Sequence, residues 1–212
     1  MHIIFDFDGT LVDSFDVMLE KFNLLADTFK YRKVKLEEIP TLKNLNSREF
    51  IQFLEIPLYK IPRVLAAARK SIRDNMQGLA SFPDLPGILQ QLHAKGFTLG
   101  ILTSNSEENV STWLTLQKLD HLFQFIHHKS SLFGKKQILK KIIRQLNMNK
   151  TKTVYIGDET RDVEAAKLNN IHSIAVTWGF NSETALQTYQ PDFIARLPRD
   201  ILEICEKINS NS

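Results

Sequence analysis

The chain has 212 residues, enough for one large domain or one domain carrying an insertion. Hydrophobic residues make up 43% and charged residues 24%, which excludes a wholly disordered chain. The 27 Lys and Arg against 24 Asp and Glu leave a formal charge of +3, too small an excess to point to nucleic acid.

Three further features narrow the setting. No stretch approaches the roughly 18 consecutive apolar residues of a membrane span. The start, Met1-His2-Ile3-Ile4-Phe5-Asp6, meets an acid too early for a signal peptide. Cys205 is the sole cysteine, so no internal disulfide can form, and its apolar-periodic surroundings (Ile201, Ile204, Ile208) place it in the core. These features predict a reduced, cytoplasmic setting without a membrane partner.

In chain order, the first strand signal is Ile3-Ile4-Phe5, which runs into Asp6. From about Ser14 to Phe82 the pattern is helical, with candidate helices at 17–29, 47–54 and 61–75 and loops holding Pro40, Pro57 and Pro62. Phe82-Pro83-Asp84-Leu85-Pro86-Gly87 reads as a linker. Ile88, Leu89, Leu92 and His93 then mark a helix that Gly96 stops. Thr98 to Leu102 is a strand running into Thr103-Ser104-Asn105, and Val110, Trp113, Leu114 and Leu116 follow at helical spacing.

Ile138, Leu139, Ile142, Ile143 and Leu146 form a clear helical stripe. Val154-Tyr155-Ile156 is a strand ending in Gly157-Asp158, followed by a helix through Val163, Ala165, Ala166 and Leu168. Ile171 to Val176 is a strand running into Thr177-Trp178-Gly179. Short apolar runs alternating with helices predict an α/β fold: a Rossmann-like parallel sheet core with an inserted all-α domain. The predicted boundaries are 1–14 and 83–212 for the core and 15–82 for the insertion, which is placed to act as a lid. The polar clusters all fall at strand carboxyl ends, where such sheets bind ligands.

Asp6-Phe7-Asp8-Gly9-Thr10 carries the most chemistry. Two neighbouring carboxylates repel unless a cation or a shared proton relieves them. The pattern fits a metal-dependent site in which one carboxylate is a nucleophile and the other an acid/base. It also fits an acidic turn at a strand end. A calcium loop fits less well, because no Glu follows at the required spacing.

The longer stretch from Phe5 to Ser14 resembles the first motif of the haloacid dehalogenase-like hydrolase superfamily. Leu102-Thr103-Ser104-Asn105, then Lys135, then Gly157-Asp158-Glu159-Thr160-Arg161-Asp162 resemble its other three motifs in order. The helical insertion stands where that family's first-type cap stands, and the layout is similar to the phosphoglycolate phosphatase-like branch.

The resemblance implies that Asp6 attacks phosphorus, giving an aspartyl-phosphate that water hydrolyses. Asp8 would protonate the leaving oxygen and later deprotonate water, with Thr10 holding the loop and orienting Asp8. Mg²⁺ would be held by a side-chain oxygen of Asp6, the backbone carbonyl of Asp8, and Asp158. Ser104 and Asn105, with Thr10, would bind phosphate. Thr103 competes with Ser104, and an N-cap role competes with both Ser104 and Asn105. Lys135 would neutralise the transferring group, with Lys136 as its competitor and a solvated helix face as the alternative for both. Asp162 would bond a metal-bound water or Lys135. Glu159 and Arg161 are expected to face solvent or cap.

Other features are set aside. His127-His128 lacks a third ligand, and Trp178-Gly179-Phe180 is expected to pack near the site without a catalytic part. Asn170 stands where relatives often have Gly, and tolerates the left-handed conformation. Arg48, Lys60, Arg63 and Arg69 are the cap cations to consider for substrate. The reading is a Mg²⁺-dependent phosphatase of a small phosphorylated metabolite, a monomer or homodimer. A phosphomutase on the same scaffold and a non-catalytic phospho-ligand-binding protein are the competitors.

Overall fold

The computed structural model describes residues 1–73, 75–128 and 134–210. Its strands are β1 (His2–Phe5), β2 (Thr98–Leu102), β3 (Phe123–His127), β4 (Thr153–Gly157), β5 (His172–Val176) and β6 (Phe193–Ala195). All pair in parallel in the order β3-β2-β1-β4-β5-β6. The chain builds β1, β2 and β3 outward in one direction, then returns to add β4, β5 and β6 on the other side of β1. That reversal makes the β1/β4 boundary the switch point, where the loops at the carboxyl ends diverge and leave a crevice.

The predicted strands are all present, and both sheet edges are additions to the prediction. β3 reads Phe-Gln-Phe-Ile-His and is only partly buried, and β6 spans three residues. Neither carries the continuous apolar signature of a strand covered on both faces.

The side-chain alternation of β1 divides the core. Ile3 and Phe5 face one layer and Ile4 the other. The first layer packs α5 (Leu85–Ala94), α6 (Glu107–Leu116) and α10 (Pro198–Ser210), and it includes buried Trp113 and Cys205. The second packs α7 (Lys135–Gln145) and α8 (Thr160–Asn169) through Leu139, Ile142, Ala165 and Ala166. α8 ends at Asn170 with φ 55°, the left-handed cap expected there. Short α9 (Glu183–Thr188) closes the β5 end.

Between β1 and β2 the described residues are helical: α1 (Phe15–Phe29), short α2 (Ile39–Leu42), α3 (Ser47–Phe53) and α4 (Ile61–Arg73). α3 starts on a capping box in which the Asn46 side chain accepts from the backbone N–H groups of Arg48 and Glu49. These helices bury their own cluster, including Phe22, Ile51, Leu54, Val64 and Ala68. The segment leaves and re-enters the sheet domain side by side. Val12 bridges Ser81, and the Asp13 N–H donates to the Ala80 carbonyl at 3.0 Å. No helix among the described residues is long and apolar enough to cross a membrane.

Candidate active site

β1 ends at Phe5, and the Asp6 N–H makes one more ladder bond, to the Ile156 carbonyl at 2.8 Å. The chain then turns around the Phe7 carbonyl, which accepts from the N–H groups of Leu11 (2.9 Å) and Val12 (3.1 Å). Phe7 is anchored beneath, edge-on to Trp113 at 5.3 Å. Gly9 completes the turn at φ +75°, a conformation glycine adopts without strain. A Cβ at Gly9 would lie 2.2 Å from Asp158 Oδ2, so the bare backbone lets the loop after β1 touch the loop after β4.

Lys135 sits at the start of α7 with 2% of its side chain exposed. Its ammonium donates to Asp6 Oδ2 at 2.7 Å and to Asp162 Oδ1 at 2.5 Å. Lys136 points outward and is exposed. Asp162 uses its other oxygen to accept the Glu159 N–H at 3.1 Å, so both of its oxygens serve protein partners. Asp6 Oδ1 is engaged by no described residue. Burial pushes the Asp6 carboxyl up to about 7, with Lys135 pulling down and Asp162 pushing up. Burial also disfavours charge on Lys135, but the two carboxylates outweigh it and hold its ammonium charged.

Asp158 is fully buried and tied on both sides. Its Oδ1 accepts the Thr10 hydroxyl at 2.6 Å and its Oδ2 the Phe180 N–H at 2.7 Å. Burial, then the charges of Glu159, Asp6 and Asp162, hold its carboxyl well above the usual range. Thr10 therefore reaches Asp158 rather than Asp8. Asp8 is oriented instead by Asn105, whose Nδ2 lies 3.1 Å from both carboxylate oxygens, and by the Ser14 hydroxyl at 3.2 Å. Burial raises the Asp8 carboxyl, and these donors partly offset it.

The three residues after β2 take different positions. Thr103 is buried, and its hydroxyl accepts the Asn105 N–H at 2.9 Å. Ser104 faces the cavity beside Asp8. The N-cap of α6 is Ser106, whose hydroxyl accepts from Asn109 N–H, so Ser104 and Asn105 are not committed to capping. His127 lies in β3, and His128 meets Glu107 at 3.2 Å. Phe133 and the side chain of Arg69 lie outside the described residues.

The stretch after β5 does more than the packing expected of it, and Asn181 beyond it was not singled out in the sequence. The Trp178-Gly179-Phe180 turn supplies a hydrogen bond to Asp158, and a Cβ at Gly179 would come within 2.3 Å of Asp158 Oδ2. Buried Asn181 accepts the Thr160 N–H and donates to the carbonyls of Lys43 (3.1 Å) and Leu45 (2.9 Å). Ser182 N–H donates to the same Lys43 carbonyl at 2.7 Å, and Lys43 Nζ returns a bond to the Gly179 carbonyl. Glu159 pairs with Arg161 and accepts the Ser47 hydroxyl at 3.2 Å, so both face the helical segment.

One carboxylate oxygen from each of Asp6, Asp158 and Asp162 lies within 4.8 Å of the others. The donors are hard oxygens suited to Mg²⁺. Burial, ahead of neighbouring charge, raises the Asp6 and Asp158 carboxyls, and a cation between them would favour their ionised forms. Asp6 Oδ1 has no described partner and each Asp158 oxygen has one, whereas Asp162 Oδ1 already takes two, the Lys135 ammonium and the Tyr155 hydroxyl, out of the two an oxygen can accept. The residues therefore fit a divalent cation held by Asp6 and Asp158.

A buried carboxylate cluster with one lysine at the switch point of a parallel sheet is a place for group transfer. The family model described as haloacid dehalogenase-like hydrolase matches residues 3–176. A phosphoglycolate phosphatase of Synechococcus elongatus is 33% identical over 201 residues, covering 95% of each chain. A pyrophosphatase PpaX of Bacillus mycoides is 23% identical, covering 98% of this chain and 97% of that one. Among solved structures, a protein of Clostridium acetobutylicum described as a predicted phosphatase superposes with TM-score 0.80 at 25% identity, covering 99% of this chain and 98% of that one. The chain belongs to the haloacid dehalogenase-like hydrolase family, and within it is a phosphatase.

Proposed function

We propose that the protein is a Mg²⁺-dependent phosphatase that hydrolyses a small phosphorylated metabolite through an aspartyl-phosphate on Asp6. The observation that carries this reading is the division of labour around Lys135. Asp162 holds the ammonium from one side, and the ammonium holds Asp6 Oδ2, which leaves Oδ1 without a partner among the described residues and free to act as nucleophile. Attack by that oxygen forms an O–P bond as the bond from phosphorus to the ester oxygen breaks. Asp8, held by Asn105 and Ser14, gives its proton to the leaving oxygen and later takes one from the attacking water.

Lys135, Ser104 and the backbone after β2 stabilise the phosphoryl oxygens. Mg²⁺ on Asp6, the Asp8 carbonyl and Asp158 would supply the charge that lets an anion approach these carboxylates. Residues 15–82 act as a cap, closing over the ester and excluding water other than the reacting one.

The test is phosphate release from a panel of phosphorylated metabolites, with Mg²⁺ or EDTA, for wild type and Asp6→Asn. Release that needs Mg²⁺ and disappears in the variant supports the mechanism. Phosphate retained on an isomerised product would instead make the protein a mutase.

A further inference from the structure

A cavity of about 150 Å³ opens at Asp8 and runs into the helical segment. Its core-side rim is polar: Asp8, Ser104, Asn105, Glu159 and Arg161. Its depth is not. Met18, Phe22, Phe50, Ile51, Val64 and Ala68 line it from α1, α3 and α4. Among the described residues, the helical segment contributes no Lys, Arg or His to this lining. The charges at the rim, Arg161 and Glu159, are paired with each other.

The position of Asp8 says which part of an ester would enter. Asp8 lines the cavity, while Asp6 and Asp158 do not. Resting on the phosphatase reading, the group that leaves phosphorus departs on the Asp8 side, because Asp8 supplies its proton. That group must then occupy the cavity. A short acid such as glycolate would end at the polar rim and leave most of the space unfilled, while a longer acid would bring its carboxylate to alkyl and aromatic walls, where a charge without a partner is strongly disfavoured. An apolar cavity of about 150 Å³ is large enough for a benzene ring.

We propose that the preferred substrates are phosphate monoesters of apolar alcohols, with an alkyl or aromatic group of about six carbons seated between α1, α3 and α4. Each methylene buried there tightens binding about fourfold, so the effect accumulates along a chain and ends when the cavity is full.

The test separates this inference from the phosphatase reading. Binding of methyl-, butyl-, hexyl- and decylphosphonate, which have no ester bond to break, is measured by calorimetry with Mg²⁺. Hexylphosphonate is expected to bind roughly 10²–10³-fold tighter than methylphosphonate, with no further gain for decyl. Ala68→Leu, which fills the cavity, is expected to cut the hexyl-to-methyl ratio at least tenfold. If that variant does not fold, the wild-type series decides alone.

Equal affinity along the series, or 2-phosphonoacetate binding more tightly than hexylphosphonate, would overturn the assignment. Release rates on the matching esters then test the chemistry. Chain-length-dependent binding without phosphate release keeps the cavity assignment and removes the phosphatase reading. Release without chain-length dependence does the reverse.

Discussion

Asp6→Asn should make the metal-free protein more stable at neutral pH while removing its chemistry. The Asp6 carboxyl stands at about 7 in the folded chain against an ordinary 3.8. Between these values the unfolded chain has released its proton and the folded chain holds it. The contribution of this group is therefore fully present below about pH 4 and is lost as pH climbs to about 7. At about 1.4 kcal/mol per pH step, the loss reaches roughly 4 kcal/mol at neutrality.

Asparagine matches the protonated acid in shape and still offers an oxygen to Lys135, so the variant escapes most of that loss. The expected gain is about 2–4 kcal/mol at pH 7.5 in EDTA and under about 1 kcal/mol at pH 4. For a chain of this size, that is a rise in Tm of roughly 4–16 °C at the higher pH. Thermal unfolding across pH 4–8 measures it, and Mg²⁺ should shrink the gap by compensating the wild-type carboxylate. A variant no more stable than wild type at pH 7.5, or equally advantaged at pH 4, would refute the reasoning. The expected trade is the usual one at active sites, where charge needed for reaction is stored against stability.

Lys135→Met leaves Asp6 and Asp162 buried without their shared cation, and should cost about 3–5 kcal/mol in urea unfolding at pH 7.5. A loss under about 1 kcal/mol would mean that the lysine does not hold the cluster together. Gly179→Ala puts a methyl group 2.3 Å from Asp158 Oδ2, so Mg²⁺ affinity read from Tm titrations should fall at least tenfold. Gly78→Ala, where nothing lies within 4 Å, is the control and should leave that affinity unchanged.

The sequence exposed what local patterning controls. Ile3-Ile4-Phe5 and Val154-Tyr155-Ile156 read as buried strands because both their faces are apolar, and the acids that follow them met as expected at the switch point. The edge strand Phe123–His127 escaped notice because Gln124 and His127 interrupt its apolar run and none of its five residues is fully buried. Its placement depends on Gly100, where a Cβ would lie 2.1 Å from the Phe125 ring. That is a cross-strand fit, which no window of neighbouring residues contains. Helix bounds moved for similar reasons: α1 begins at Phe15 rather than 17, with Ser14 turned to Asp8.

Within the site, the choice between Lys135 and Lys136 needed the phase of α7, and the partner of Thr10 needed the position of Asp158. The Phe180 N–H and Asn181 were invisible for a different reason. A backbone donor has no letter in the sequence. An asparagine after a glycine turn reads as loop until its burial and its two-sided bonding are seen.

That two-sided bonding has a consequence for how such an enzyme can change. Asn181 and Ser182 grip the helical segment by the carbonyls of Lys43 and Leu45, groups that every amino acid presents. This part of the fastening senses the course of the turn, and the side chains that add to it, Lys43 and Ser47, are not among the apolar ones lining the depth of the cavity. Cavity-lining residues on α1, α3 and α4 can thus be exchanged by successive mutations without unlatching the segment from the reaction. On the proposed function, new esters would be accommodated by rewriting one stretch of the gene, while the residues around Lys135 stay as they are.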